Sequence, residues 1–221
     1  VGVGPGDPEL MTLKAVRLIR ENDVIALPGK EPRETAAYKI ALGAVPELAD
    51  KTLLALDMPM TKDKEVQRRA HEEGAKLLEE YASQGKNVVY LTLGDVTVYC
   101  TFTYVQELLE RDGYEVELVS GIPSFCAAAA RLGIPLSLWN EPVHIIPALH
   151  KLDEKLEDKG NYVLMKSGSS MHEVKEQLRS SGREAMMVEN CGMENERIYK
   201  SLDEIPDDAG YFSLIISKET F

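Results

Sequence analysis

The stretch Gly2–Val16, GVGPGDPELMTLKAV, sets Gly2, Gly4 and Gly6 ahead of a carboxylate, Asp7. Val1–Val3 reads as the end of a short strand and Leu13–Arg20 as a helix, so the glycines fall in a strand-to-helix loop. A dinucleotide fingerprint, G-x-G-x-x-G, needs a third glycine where Asp7 stands, and Pro5 removes a backbone donor that such a loop would use. A carboxylate repels phosphate, and the G-x-x-x-x-G-K-[ST] loop is absent from the sequence. The loop is therefore built to bring backbone close to something uncharged or cationic. Its plainer reading is a tight turn in which Asp7 or Thr12 caps the following helix.

The remainder of the chain follows the alternation that this loop begins. Strands are expected at Asp23–Pro28, Thr52–Leu56, Asn87–Leu93, Tyr114–Val119, Val143–Ile146, Tyr162–Met165, Ala185–Val188 and Tyr211–Ser217. Helices are expected at Arg33–Ala44, Asp63–Gln84, Tyr99–Arg111, Phe125–Gly133 and Met171–Ser180. The run NVVYLTL has the continuous apolar character of a strand buried in a parallel sheet. Strand pairs near the end point to a mixed sheet. The fold class is α/β, with lobes at 1–114 and 115–221.

Composition narrows the function. The 221 residues carry a net charge of −12, which disfavours nucleic acid as a partner. Cys100, Cys126 and Cys191 lack the spacing of a metal-ligand pair and suit a reduced cytoplasm. His71, His144, His150 and His172 form no H-x-x-x-H pair, so no protein-bound metal is expected. His144 and His150 read as surface or core residues rather than as a base, and Trp139 as a packing lid. There is no apolar run of the roughly 18 residues that a membrane span needs, and no signal peptide is read. The chain starts without Met and inside a strand, so a few leading residues are expected to be missing.

Ligands of open α/β sheets sit at the carboxyl ends of strands. Four loops there combine glycine with a hydroxyl or carboxylate: Gly4–Pro8, Leu93–Tyr99, Ser120–Phe125 and Met165–Ser170. Singly, each reads as a turn or cap, with Asp95 and Ser124 capping the helices that follow. No Ser-His-Asp or Cys-His arrangement is indicated, so any chemistry belongs to bound reactants held in position.

Taken together, GVGPGDPELMTLKAV, LTLGDVTVY (Leu91–Tyr99), GIPSFCAAAARLGIPL (Gly121–Leu136) and VLMKSG (Val163–Gly168) resemble the tetrapyrrole methylase family over essentially the whole chain. Within it, SFCAAAARLGIPL and MTKDKEVQRRAHEEGAK (Met60–Lys76) resemble the branch that methylates carbon 20 of precorrin-2 or cobalt-factor II in corrin synthesis. The resemblance implies two α/β lobes with mixed sheets, S-adenosylmethionine in a cleft between them, and a homodimer. It implies cofactor contacts from Pro5, Leu93, Gly94, Asp95, Val98 and Tyr99 in the first lobe. From the second it implies Pro123, Ser124, Met165, Cys191 and Gly192.

Two departures stand out. The family has Pro after Gly-Asp where this chain has Val96, which restores a backbone donor. It has Pro-Gly-x-Thr where this chain has Ser120-Gly121-Ile122-Pro123, so Pro123 replaces a hydroxyl, and either cofactor binding is retuned or that hydroxyl's role passes to Ser124.

Methyl transfer from a sulfonium removes positive charge from sulfur in the transition state. A carboxylate pressed on that sulfur would favour the ground state. Asp95 is therefore expected to hold backbone, or a cofactor hydroxyl or amine, and alignment of the reactants to supply the larger effect. Asp7 is the candidate base, with Gly4 and Gly6 letting backbone approach the ligands. A polycarboxylate substrate on an acidic protein needs local cations. Lys14, Lys30, Arg33, Lys62 and Arg68 are the candidates, with Gly6, for the substrate side. The alternatives are another ring carbon, a protein or ribosomal RNA acceptor on the same fold, or a non-catalytic nucleotide-binding module.

Overall fold

The computed structural model describes residues 1–148, 156 and 158–219. It divides into two compact units, Val1–Pro123 and Ser124–Phe221.

In the first unit, β1 (Val24–Pro28) lies between β2 (Thr52–Leu56) and β3 (Val88–Tyr90), and all three run parallel. The helices are α1 (Leu13–Glu21), α2 (Ala36–Ala44), α3 (Lys64–Ala82) and α4 (Phe102–Arg111). Residues Val24 to Leu27 of β1 are all buried, because alternate side chains enter opposite cores. Ile25 and Leu27 join Ala15, Ile19, Ile40 and Ala41 of α1 and α2. Val24 and Ala26 join Ala75, Leu78, Val105 and Leu109 of α3 and α4. Each fully buried Ile or Leu adds about 1.5–3 kcal/mol.

In the second unit, α5 (Ser124–Leu132) and α6 (Met171–Ser180) accompany a five-stranded sheet. Its strands are β4 (Val143–Pro147), β5 (Asn161–Met165), β6 (Glu184–Glu189), β7 (Arg197–Tyr199) and β8 (Ser213–Lys218), in the order β4-β5-β8-β6-β7. Only β4 and β5 pair in parallel; the other pairings are antiparallel. The central strand, β8, is buried along its whole length.

Several expectations need correction. Tyr114–Val119 forms no strand. Tyr114 and Val116 pack beside the α3–α4 core, yet of this segment only the Val119 carbonyl bonds to the neighbouring Val1–Gly4 backbone, accepting from Gly2 N at 2.9 Å. The division between units falls after Pro123 rather than after residue 114. That later segment is tied into the first unit through Val119, Ser120 and Gly121, and through an ion pair between Glu117 and Lys14. The fourth helix begins at Phe102, not Tyr99, since Tyr99 takes a left-handed φ of 50°. His150 lies outside the described residues.

Candidate active site

Because the first sheet is parallel, the carboxyl ends of β1, β2 and β3 share one edge. The extended Val1–Gly4 segment adds a lane beside the continuation of β3. Gly2 pairs with Thr92 in parallel, and Val3 N donates to Thr92 O at 2.9 Å. Gly4 and Gly94 exchange backbone hydrogen bonds of 3.2 and 2.7 Å, both in left-handed conformations. A Cβ on either Gly2 or Gly121 would overlap the Gly94 carbonyl oxygen. The three glycines are therefore needed for backbone to meet backbone.

Asp7 accepts from Glu9 N at 2.9 Å and caps a short 3-10 turn, Pro8–Leu10. Thr12 accepts from Ala15 N and caps α1. Of the two expected caps of the following helix, Thr12 is the one that holds, while Asp7 caps the short turn before it. Pro5 and Gly6 are buried, while Asp7 is half-buried.

Asp95 is 5% exposed. Its Oδ1 accepts from the Thr97 amide at 2.7 Å and from the Thr97 hydroxyl. Its Oδ2 accepts from the Gly121 amide at 2.9 Å and from the Ser120 hydroxyl. Burial pushes this carboxyl up, but the four donors outweigh burial and bring it down to about 2. A carboxylate offers about four acceptor positions. All are taken by the protein, so Asp95 braces the Leu93–Tyr99 loop against Ser120–Gly121 and leaves no acceptor for a cofactor hydroxyl. It also does not cap the helix, whose flanking residue is Thr101. Val96 is buried beside it.

A cavity of about 350 Å³ lies elsewhere in this unit, lined by Asn22, Lys86, Asn87 and Glu115 among others. Asn22 and Asn87 precede β1 and β3, so this cavity is at the amino ends, away from the loops above.

In the second unit, Pro147 pairs with Met165, Met165 with Leu214, and Glu189 with Ser213. The carboxyl ends of β4, β5 and β6 therefore share an edge with the start of β8. The chain leaves β5 through Lys166 at φ 60° and leaves β6 through Asn190 and Gly192 at φ 53° and 74°. Ser167, fully buried, has an Oγ without a hydrogen-bond partner among the described residues. Cys191 is buried; that burial, then the Glu196 charge, pushes its thiol up to about 11, against a pull from Arg131. Such a thiol is inert as a nucleophile. Pro123 and Ser124 are half-buried where the first unit ends and α5 opens.

The expected cations are mostly paired. Lys14 pairs with Glu117, Lys30 with Asp57 at 3.6 Å, and Arg68 with Glu65 and Glu72 on its own helix. Arg33 donates to the Tyr38 hydroxyl and the Ala49 carbonyl. Lys62 is exposed in the loop after β2. Neither described histidine with a stacking partner sits at these edges: His71 stacks on Tyr104, and His144 on Tyr162. Among the described residues no three His, Cys, Asp or Glu side chains group to hold a metal. No helix among them is long and apolar enough to cross a membrane.

A family model described as Tetrapyrrole (Corrin/Porphyrin) Methylases matches residues 1–206. The chain belongs to this family. This tetrapyrrole methylase is an S-adenosylmethionine-dependent methyltransferase. It is 34% identical to the probable cobalt-precorrin-2 C(20)-methyltransferase of Methanocaldococcus jannaschii, over 99% of this chain and 94% of the relative. It is 28% identical to the precorrin-2 C(20)-methyltransferase of a Sinorhizobium species, over 98% and 92%. Uroporphyrin-III C-methyl transferase from Thermus thermophilus, solved with S-adenyl homocysteine, shares its fold with a TM-score of 0.73 at 22% identity, over 99% and 95%.

The methylase's own residues fit such a cofactor. Gly94, Tyr99, Lys166, Asn190 and Gly192 take left-handed conformations at strand ends, and Ser167 has hydrogen-bonding capacity to spare. Sequence reading missed two parts of this arrangement. One is the saturation of Asp95, which depends on a hydroxyl and an amide far along the chain. The other is the Arg131–Glu196 pair, which joins α5 to the β6–β7 turn.

Proposed function

We propose that this methylase places the methyl group of S-adenosylmethionine on carbon 20 of precorrin-2, or of its cobalt-loaded counterpart cobalt-factor II, in cobalamin biosynthesis. The observation that carries this reading is the end-to-end match to a relative named for that carbon, at 34% identity. When bound, the cofactor supplies an electrophilic methyl on a sulfonium. The protein's part is to hold and align. Pro5, Leu93, Gly94, Val98 and Tyr99 would contact the cofactor from the first unit, braced by Asp95. Pro123, Ser124, Met165, Cys191 and Gly192 complete the proposed set.

The saturated Asp95 supports a site without a free carboxylate against the sulfonium, which suits a transition state that loses positive charge. Gly6 and Asp7 stand on the same loop at the carboxyl edge. As the new carbon–carbon bond forms and the sulfur–carbon bond breaks, Asp7 would take the proton released from the methylated carbon. Of the candidate cations, Lys30 and Lys62 lie in loops after β1 and β2, at the edge that carries Asp7. They are the best placed for substrate carboxylates. Lys14, Arg33 and Arg68 serve closer protein partners than the Asp57 that Lys30 meets at 3.6 Å. The same proposal has the enzyme working as a cytoplasmic homodimer. The fully exposed Trp139 and its half-exposed neighbour Leu138 offer the kind of apolar anchor that subunit contacts use.

Calorimetry with S-adenosylhomocysteine and a methylation assay with both tetrapyrroles test this. Binding and methylation at carbon 20 are expected; absence of binding, or methylation elsewhere on the ring, sinks the reading. Asp7→Asn keeps a good capping residue. It is expected to cut turnover by about 10²-fold or more with cofactor affinity unchanged. Unchanged turnover would remove Asp7 from the reaction.

A further inference from the structure

The connection between β6 and β7 is held more firmly than a surface turn requires. Asn190 N donates to Phe212 O at 3.1 Å, and Met193 N closes back on Asn190 O at 2.9 Å. The left-handed φ values at Asn190 and Gly192 then turn the Gly192 amide inward, where it donates to Glu196 Oε2 at 2.7 Å. Glu196 has a side chain only 12% exposed. It is met by Arg131, at the end of α5, through a forked contact: Nε lies 2.9 and 3.1 Å from its two oxygens, and Nη2 donates to Oε1. The Arg131 hydrogen bonds draw the Glu196 carboxyl below its ordinary range, against the effect of burial, with the Gly192 amide helping.

One carboxylate therefore joins two separate segments of the second unit. One is the turn that carries Cys191 and Gly192. The other is the helix that opens at Ser124. Both are among the proposed cofactor contacts, whereas neither Arg131 nor Glu196 is.

We infer that the Arg131–Glu196 pair is a positioning device for the cofactor, fixing the Asn190–Gly192 turn relative to α5 so that the two segments are preset before binding. This rests on the proposed reading of that turn as a cofactor contact. A preset turn spends none of the binding free energy on ordering itself. Loss of the fork leaves Glu196 as an uncompensated, largely buried charge that relaxes toward water and takes the Gly192 amide with it. The effect belongs to the cofactor half of the reaction and not to tetrapyrrole binding.

Two substitutions separate this from a purely structural role. Glu196→Gln keeps the shape but removes the charge that holds Arg131. Arg131→Lys keeps a positive charge but loses the planar fork. Calorimetry with S-adenosylhomocysteine is paired with steady-state kinetics on the better of the two tetrapyrroles, with melting midpoints recorded for each variant. The expected result is a rise of about tenfold in the dissociation constant for Glu196→Gln and a smaller one for Arg131→Lys. KM for the methyl donor should follow, with KM for the tetrapyrrole within about twofold of the parent. An unchanged dissociation constant overturns the inference. So does a parallel rise in both KM values, which marks general loosening. If the unsubstituted enzyme gives no heat with S-adenosylhomocysteine, the cofactor reading itself fails, a result distinct from either of these.

Discussion

The two units solve the same problem with different materials. In the first, parallel strands bring their carboxyl ends to one edge by topology alone, and backbone packs on backbone there. Gly2, Gly94 and Gly121 meet with no room for a side chain, and the single carboxylate of Asp95 clips the assembly shut. In the second, antiparallel β8 is wedged between β5 and β6. Their carboxyl ends still share an edge, but the turns that leave them are held by side chains reaching across. Arg131 and Glu196 clamp one turn. Glu189 accepts from Gly210 N at 2.6 Å beside the other, where Gly168 packs on Gly210. The contrast teaches where each unit's edge is most vulnerable: the first to atoms added at Gly2 and Gly121, the second to loss of the charges that hold its turns.

Gly121→Ala should break the contrast most visibly. Its methyl would overlap a backbone carbonyl that is itself locked by Gly4. A loss of about 3 kcal/mol or more is expected in urea unfolding. If this variant is as stable as Glu196→Gln, the distinction between the units fails.

Asp95→Asn comes next, at about 2–3 kcal/mol, because an amide turns a donor toward donors. It also carries a pH signature. The Asp95 carboxyl lies near 2 in the folded state, below its ordinary 3.8. Its contribution is therefore complete above pH 4 and lost as pH falls from about 4 to 2, amounting to about 2 kcal/mol. Unfolding followed across that range should show the loss in the parent and a flatter profile in Asp95→Asn.

The smallest effects belong to the surface pairs. Lys30→Ala and Arg68→Ala should each move the melting midpoint by less than about 2 °C. Lys30→Ala, unlike Arg68→Ala, should raise KM for the tetrapyrrole. Equal behaviour of the two would return Lys30 to the ordinary surface.

Much of this was legible in the residues. VIALP and TLLAL form the strands their apolar runs predict, and the glycines ahead of Asp7 mark the loop that sets the first edge. YEVELV misleads because its alternation is genuine, with Tyr114 and Val116 turned inward, while Glu115 and Glu117 are exposed. Alternation reports which face is buried, not whether a neighbour offers a ladder. Arg197–Tyr199 was missed because three residues carry too little pattern. The bracing of the site was hidden for another reason. Asp95 with Gly121, and Arg131 with Glu196, are side-chain matches across long stretches of chain, and local propensity carries no trace of them.

Trp139 is the only tryptophan in the chain and stands fully in solvent. In an isolated subunit its indole already has a water-like surrounding, so tryptophan emission there is nearly blind to denaturation. The same property makes it a quiet background lamp: a blue shift signals that something has covered the loop around it, while the protein beneath stays folded.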